Sequence, residues 1–425
     1  MKLLSKFTTA EALLVFLLAC IQFTHIVDFM ILMPLGPQIT RLLNISQQQF
    51  SYLVSSYTLA AGLSGFLSSF FVDFFDRKKI LILFFIGFTL GTFACGLVNS
   101  YYAFLAVRCI TGIFGGVLSS IVLSIVSDNF EYQRRGLAVG TVMGAFALAS
   151  VFGVPFGLYL ANLFQWQAPF LILGGICIFL LAFIWFFIPK QNHHLIKGKI
   201  RDPLQTLKMI SKSLNQRLAL VLIFFLVMGQ FSVIPFISMS FVFNARLPET
   251  SLPLIYLFGG ICSLFAAPIV GRLSDIFTKT KIFSISVILS IIPVYLITNL
   301  GPSSQWVILT ISCSFFIVMS GRMVPAMALI TSTAPTEKRA GFLSIVSAVQ
   351  QLSAACAAWI AGHIMSMSTS QSLAMGEGND IQALTENLQS MAKPLDTYYL
   401  VGYLAIVASL ITFALAQKVK PEFMD

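Results

Sequence analysis

The sequence predicts an all-α membrane protein of twelve spanning helices, arranged as two pseudo-symmetric six-helix bundles. Three observations lead there: an apolar composition, twelve hydrophobic runs of spanning length, and a repeat between the halves of the chain. Of the 425 residues, 57% belong to the AVILMFWYC set and 10% are charged, against about 25% charged in soluble proteins. So little polar surface excludes a secreted disulfide scaffold, a nucleic-acid binder, a disordered chain and a cytosolic enzyme. The seven cysteines all lie inside apolar runs and read as small packing residues, with no disulfide framework. A cleavable signal peptide is not expected, because the first apolar run is too long and lacks a small-residue cleavage site.

A helix needs about 20 mostly apolar residues to cross the hydrocarbon core. Runs of that kind cover 12–38, 50–72, 80–98, 102–127, 136–161, 169–188, 218–243, 252–274, 282–300, 306–332, 341–365 and 397–416. Lys and Arg set the orientation. With the N-terminus inside, 21 of the 26 basic residues fall in inner segments, three (Arg41, Arg246, Lys393) in outer ones, and Arg108 and Arg322 within spans. Both termini are therefore expected to be cytoplasmic, and the net charge of +10 anchors topology without calling for nucleic acid.

The longest inner connection splits the spans six and six: residues 1–188 form one bundle, 189–217 a linker and 218–425 the second bundle. In the linker, Asp202-Pro203 followed by Leu204, Leu207, Ile210 and Leu214 reads as a capped amphipathic helix lying along the headgroups. Residues 366–396, polar and rich in Ser, Met and Gln, read as a poorly ordered outer loop. The halves repeat: Gln22-Phe23-Thr24 matches Gln230-Phe231-Ser232, Arg134-Arg135-Gly136 matches Lys338-Arg339-Ala340-Gly341, and Asp73 matches Asp275, at offsets of 202 to 208. Such a duplicated unit is expected to hold a substrate site between its halves and to work by rocking them about it. No G-x-x-x-x-G-K-[ST] loop is present, so an ion or substrate gradient is the expected drive and no cofactor is required.

An ionisable side chain inside a span costs several kcal/mol unless it is paired, so each marks a candidate site. Asp28 is the only acid well inside a span; Arg108 and Arg322 are the bases, and His25 and His363 the histidines. Span 1 runs outward and span 4 inward, which puts Asp28 and Arg108 at depths agreeing within a few ångströms at about 1.5 Å per residue. Tyr57 lies at a similar depth. An Asp28–Arg108 pair is thus a candidate proton-coupling site, its alternative a static pair that only orients helices. His25, one turn before Asp28 and on the face of Gln22, relays protons, bonds substrate or simply packs. Arg322, with no acid at its depth in the second half, either binds an anionic substrate group or is held by carbonyls. Two arginines against one aspartate would make a shared cavity positive. Gln230, Gln350, Gln351, Ser344 and Ser347 are further candidates for its lining, or for hydrogen bonds between helices. In span 5, Gly144 and Gly153-Val154-Pro155-Phe156-Gly157 suit a hinge or close packing equally well.

These residues resemble the major facilitator superfamily, in particular its twelve-span drug:proton antiporter and sugar-efflux branch. The family's signature after span 2, G-x-x-x-D-R-x-G-R-[KR], is met at Asp73, Arg77 and Lys78, while both glycines and the first arginine are replaced. In relatives this loop latches the halves on the cytoplasmic side, and Asp128 is similar to the acidic partner of its arginine. Arg108 and Gly112 match R-x-x-x-G of span 4, whose arginine the family links to proton coupling. Gly153, Pro155 and Gly157 match the G-x-P-x-G antiporter motif, and Trp166 and Phe170 match W-[RQ]-x-x-F. The resemblance implies a proton-coupled exporter of a small organic compound, monomeric and multi-pass in a bacterial inner membrane. The alternative is a symporter or facilitator importing an anionic metabolite, such as a carboxylate siderophore or sugar acid. An enzyme is not expected: the chain has no H-E-x-x-H and no clustered acids.

Overall fold

The computed structural model describes residues 7–68, 70–130, 132–190, 203–335, 339–374 and 395–420. Among them are twelve long helices: α1 (Thr9–Ile31), α2 (Gln47–Ser68), α3 (Arg77–Cys95), α4 (Tyr101–Asn129), α5 (Tyr132–Leu148, continued by Val154–Leu163), α6 (Ala168–Phe187), α7 (Leu214–Phe231), α8 (Leu252–Ile276), α9 (Lys279–Thr298), α10 (Gln305–Thr331), α11 (Arg339–Ala374) and α12 (Tyr398–Ala416). Eleven of these stretches are long and apolar enough to cross a membrane. The exception, α2, carries three glutamines and five serines. It lies between α4 and α11, and Ser51, Ser55, Thr58 and Ser68 are buried there instead of facing lipid.

Local chemistry sets the helix ends. A reciprocal Thr8–Glu11 capping box opens α1, and Asp76 and Ser100 cap α3 and α4. The apolar run expected over 12–38 is broken: α1 stops at Ile31, and a short helix, Gly36–Leu42, follows Pro34. Proline has no N–H to continue the ladder, and its ring clashes with the carbonyl four residues back. Pro235 interrupts the seventh run in the same way, leaving short helical pieces from Ile234 to Asn244. In α5 the ladder shifts at Ala149–Gly153, where Val154 N–H bonds the carbonyl of Ala149, a π-type turn just before Pro155. The outer loop expected over 366–396 starts later, because α11 runs on to Ala374. The first glycine after His363 is Gly376, and the intervening serines cost a helix only tenths of a kcal/mol each. A helix at Pro203–Lys212 occupies the linker, while its expected cap Asp202 lies outside the described residues.

Packing follows one scheme twice. Helix α1 lies against α4, α5 and α6, α2 against α4, and α3 against α4 and α6; likewise α7 lies against α10, α11 and α12, α8 against α10, and α9 against α10 and α12. The halves meet where α2 crosses α11 and α5 crosses α8. Close approaches share a register. An added Cβ at Gly112 or Gly116 would strike the backbone of Tyr57 or Ala61; in the other half Gly259 lies against Phe316 and Ser263 bonds Ser320 at 2.6 Å. The offsets between these pairs, 202 and 204, agree with those of the sequence repeat.

Three large apolar cores divide along the bilayer normal. On the side opposite the termini one core is shared by both halves, with Ile31, Leu35, Phe50 and Leu53 beside Val233, Phe236, Met239 and Phe241. Towards the terminal side each half keeps its own, around Leu18, Phe85 and Leu118 in the first and Leu222, Phe283 and Leu329 in the second. Buried apolar residues seal the halves together on one side, while on the other each half keeps a core of its own. Across the sealed side Arg41 holds Glu249 in a two-pronged ion pair at 2.8 and 3.1 Å. Arg41 is 58% exposed, so the pair contributes at most about 1 kcal/mol. Arg41→Gln is therefore expected to raise the alkylation rate of a Met239→Cys reporter in the shared core by up to about fivefold.

Candidate functional site

The first bundle encloses one ion pair completely. Asp28 near the end of α1 and Arg108 in the outer third of α4 are both 0% exposed. Asp28 Oδ2 accepts from Arg108 Nη1 at 2.9 Å, and Oδ1 accepts from Thr92 Oγ1 of α3 at 3.0 Å. The guanidinium also reaches the Asp28 carbonyl at 3.4 Å and lies 4.2 Å over the Tyr57 ring of α2. Helices α3 and α4 thus bond the carboxylate carried by α1, and the Tyr57 ring of α2 covers its guanidinium partner, which together offset an otherwise prohibitive burial. Phe29 stacks on Tyr57 and meets Phe231 of α7, so an aromatic wall stands between the ion pair and the second half. The depth agreement of Asp28, Arg108 and Tyr57 was legible in the sequence. Thr92 was not: Thr89, one turn away on the same helix, bonds its own helix at Phe85, and nothing in the sequence separates the two.

Towards the terminal side the polar contacts continue along α1 and α4. Gln22 and Ser119 exchange hydrogen bonds at 3.2 and 3.3 Å. Between this pair and Asp28 sits His25, buried against Tyr57 and Phe88.

The second half is arranged differently from expectation. Arg322 is 1% exposed, and its guanidinium points into its own bundle, donating to Ser290 Oγ of α9 (3.3 Å), Ser409 Oγ of α12 (3.2 Å) and the Leu226 carbonyl of α7 (3.3 Å). Among the described residues no carboxylate pairs with it. The packing register aligns Arg108 with Ser312, so Arg322 lies ten residues, about 15 Å of helix, nearer the terminal side than Arg108's counterpart. The expected shared positive cavity is corrected accordingly: the two arginines occupy separate bundle interiors. Of the other expected lining residues, Gln350 lies against Met327 of its own bundle, Gln351 packs at the α2–α11 crossing beside Gly62, and Gln230 keeps a buried, unbonded Oε1. They do not gather around Arg322. Arg322→Met is accordingly expected to leave ligand affinity within about twofold, measured by titration of a bound compound.

Of the expected gating residues, Arg77 Nε bonds Asp128, tying α3 to α4 inside one bundle. Lys78 Nζ reaches the Trp185 carbonyl of α6 at 2.8 Å. Asp73 lies in a short turn at Val72–Phe74, and Asp275 is exposed near the end of α8. Gly153 and Gly157 let α5 approach α1, since an added Cβ would overlap Val27 or Ile31, and Pro155 follows the π-type turn. At this position tight packing and a break in the helix coincide. His363 of α11 faces Tyr52 of α2 across the halves. The Arg41–Glu249 and Arg134–Glu11 pairs had no signal in the sequence, because exposed charges at helix ends are common.

The chain matches the family described as Major Facilitator Superfamily over residues 18–358 and 219–421. It is similar to the vacuolar membrane amino acid uptake transporter fnx2 of Schizosaccharomyces pombe, 32% identical over 34% of this chain and 26% of that protein. It is also similar to Multidrug resistance protein 3 of Bacillus subtilis, 30% identical over 32% of this chain and 27% of that one. The chain thus spans about a quarter of the length of these two relatives. Among solved structures, a bacterial homolog of the human lysosomal transporter Spinster superposes with a TM-score of 0.78 at 15% identity, over 97% of this chain and 98% of the other. Twelve helices packed as a repeated set of six, together with a match along nearly the whole sequence, make this chain a member of the Major Facilitator Superfamily, a multi-pass membrane transporter and not an enzyme.

Proposed function

We propose that the protein exports a small organic compound in exchange for protons, by alternating access between its two bundles. The observation that carries this reading is Asp28: a carboxylate with no exposed surface, held by one arginine and one threonine and isolated from the second half by an aromatic wall. A carboxylate so enclosed changes charge only if its partners move, which ties protonation to helix position. The core shared on one side, against separate cores on the other, supports rocking of the bundles. With termini in the cytoplasm of a bacterial cell, the sealed side faces outward and the molecule is inward-facing. Likeness to a multidrug resistance protein favours efflux. Import of an anionic metabolite loses its main motive, because Arg322 and Arg108 do not share a cavity.

A thermal-shift screen of drugs and metabolites at two pH values, followed by flux of the best compound in vesicles of both orientations, tests the proposal. Efflux driven by acid on the side opposite the termini supports it. Uptake with the proton gradient, or flux indifferent to pH, overturns it.

A further inference from the structure

Both ring nitrogens of His25 and the hydroxyl of Tyr57 are buried and make no hydrogen bond. Buried polar groups are nearly always satisfied, so three such atoms on two adjacent side chains call for an occupant. Two of them, the Tyr57 oxygen and His25 Nε2, share a location. A Cβ added to Gly115 of α4 would stand 2.7 Å from the Tyr57 oxygen and 3.1 Å from His25 Nε2, which bounds their separation at 5.8 Å. Two hydrogen bonds of about 2.8 Å reach across that span, the length of a bridge through one water. Gly115 is what admits both groups to the face of α4.

The gap has a place in a series. On α1, Gln22, His25 and Asp28 follow at three-residue spacing, about 4.5 Å of rise each. Gln22 bonds Ser119, which is partly exposed, and Asp28 bonds Arg108. The ring of Tyr57 lies under Arg108 and its hydroxyl points to the gap. On the other side of Asp28 the helices carry the apolar shared core, with Ile31, Leu32, Cys95 and Phe104. The titratable and charged groups around His25 are Asp28 on its own helix, Tyr57 from α2, Arg108 from α4, and Cys95 of α3 and Cys177 of α6, both within electrostatic reach of Asp28.

We infer that His25, with a water held between it and Tyr57, is the proton relay connecting Asp28 to the partly exposed end of this series at Gln22–Ser119. One ring nitrogen takes a proton arriving from the Gln22 side while the other releases its own through the water to the Asp28 carboxylate. The imidazole is left neutral in its other tautomer, and the reverse sequence unloads Asp28. This rests on the proposed coupling role of Asp28.

The test needs no transported compound. Time-resolved infrared spectroscopy after a pH jump, on protein in lipid nanodiscs, follows the protonated-carboxyl band. Asp28→Asn should remove that band. His25→Gln and His25→Asn should slow its appearance at least about tenfold, the scale of a lost positioned proton carrier, without moving its equilibrium midpoint. Tyr57→Phe should slow it as well. An unchanged rate in both His25 variants, with the band intact, overturns the relay and leaves the coupling role standing. A shifted midpoint that accounts for the slower rate also overturns it, since His25 would then act only on the charge of Asp28. A pH-dependent band that survives Asp28→Asn unchanged overturns both readings.

Discussion

Asp28→Asn is expected to lower flux driven by a pH gradient by about two orders of magnitude or more, the scale of a lost proton-transferring group. Asparagine has nearly the same shape, and its amide oxygen still accepts from Thr92 or Arg108, but it takes up no proton. The substitution leaves the Arg108 guanidinium without its counter-charge, so the protein should melt below the native one, while the retained hydrogen bond keeps the site assembled and the compound still binds. Exchange of labelled for unlabelled compound, which needs no net proton movement, should persist in the same vesicles. Gradient-driven flux that survives the substitution would locate the coupling elsewhere and reduce the Asp28–Arg108 pair to helix orientation.

The second large effect is a contrast between the two buried arginines. Arg108→Met strips Asp28 of its counter-charge at 0% exposure, and stranding a buried charge costs about 3–5 kcal/mol. Arg322→Met strands no charge: its partners are two serine hydroxyls, which already donate to Val287 and Ala405 of their own helices, and one carbonyl. That replacement is expected to be neutral or stabilising. Thermal melting in detergent distinguishes them, with Arg108→Met well below the native protein and Arg322→Met at or above it. Adding Asp28→Asn to Arg108→Met should recover much of the loss, because the stranded charge goes with it. Equal losses for both arginines would mean that Arg322 has a counter-ion in the folded molecule.

The sequence was most informative where physics acts along the chain. Crossing a bilayer demands long apolar runs, and a single acid among them stands out against its cost, so the spans and Asp28 were readable without coordinates. Depth from the span ends was enough to bring Asp28, Arg108 and Tyr57 to one level. It did not show which face of its helix Arg322 occupies. The serines on α9 and α12 that draw Arg322 away from the first half are 32 and 87 residues distant in the chain. Helix interruptions at Pro34 and Pro235 are local, yet the apolar runs conceal them, since proline in a spanning segment changes geometry more than hydropathy.

The sequence by itself determined the class of molecule, its twelve spans, its repeat and its family, because each depends on composition, periodicity or motif spacing. Only the tertiary structure decided which charges meet. It enclosed Asp28 among four helices, moved Arg322 into a different interior, sealed one side of the molecule with an apolar core, and left His25 and Tyr57 facing a shared gap at Gly115. Those outcomes depend on rotation about each helix axis, where a shift of one residue turns a side chain by about 100° from one neighbour to another.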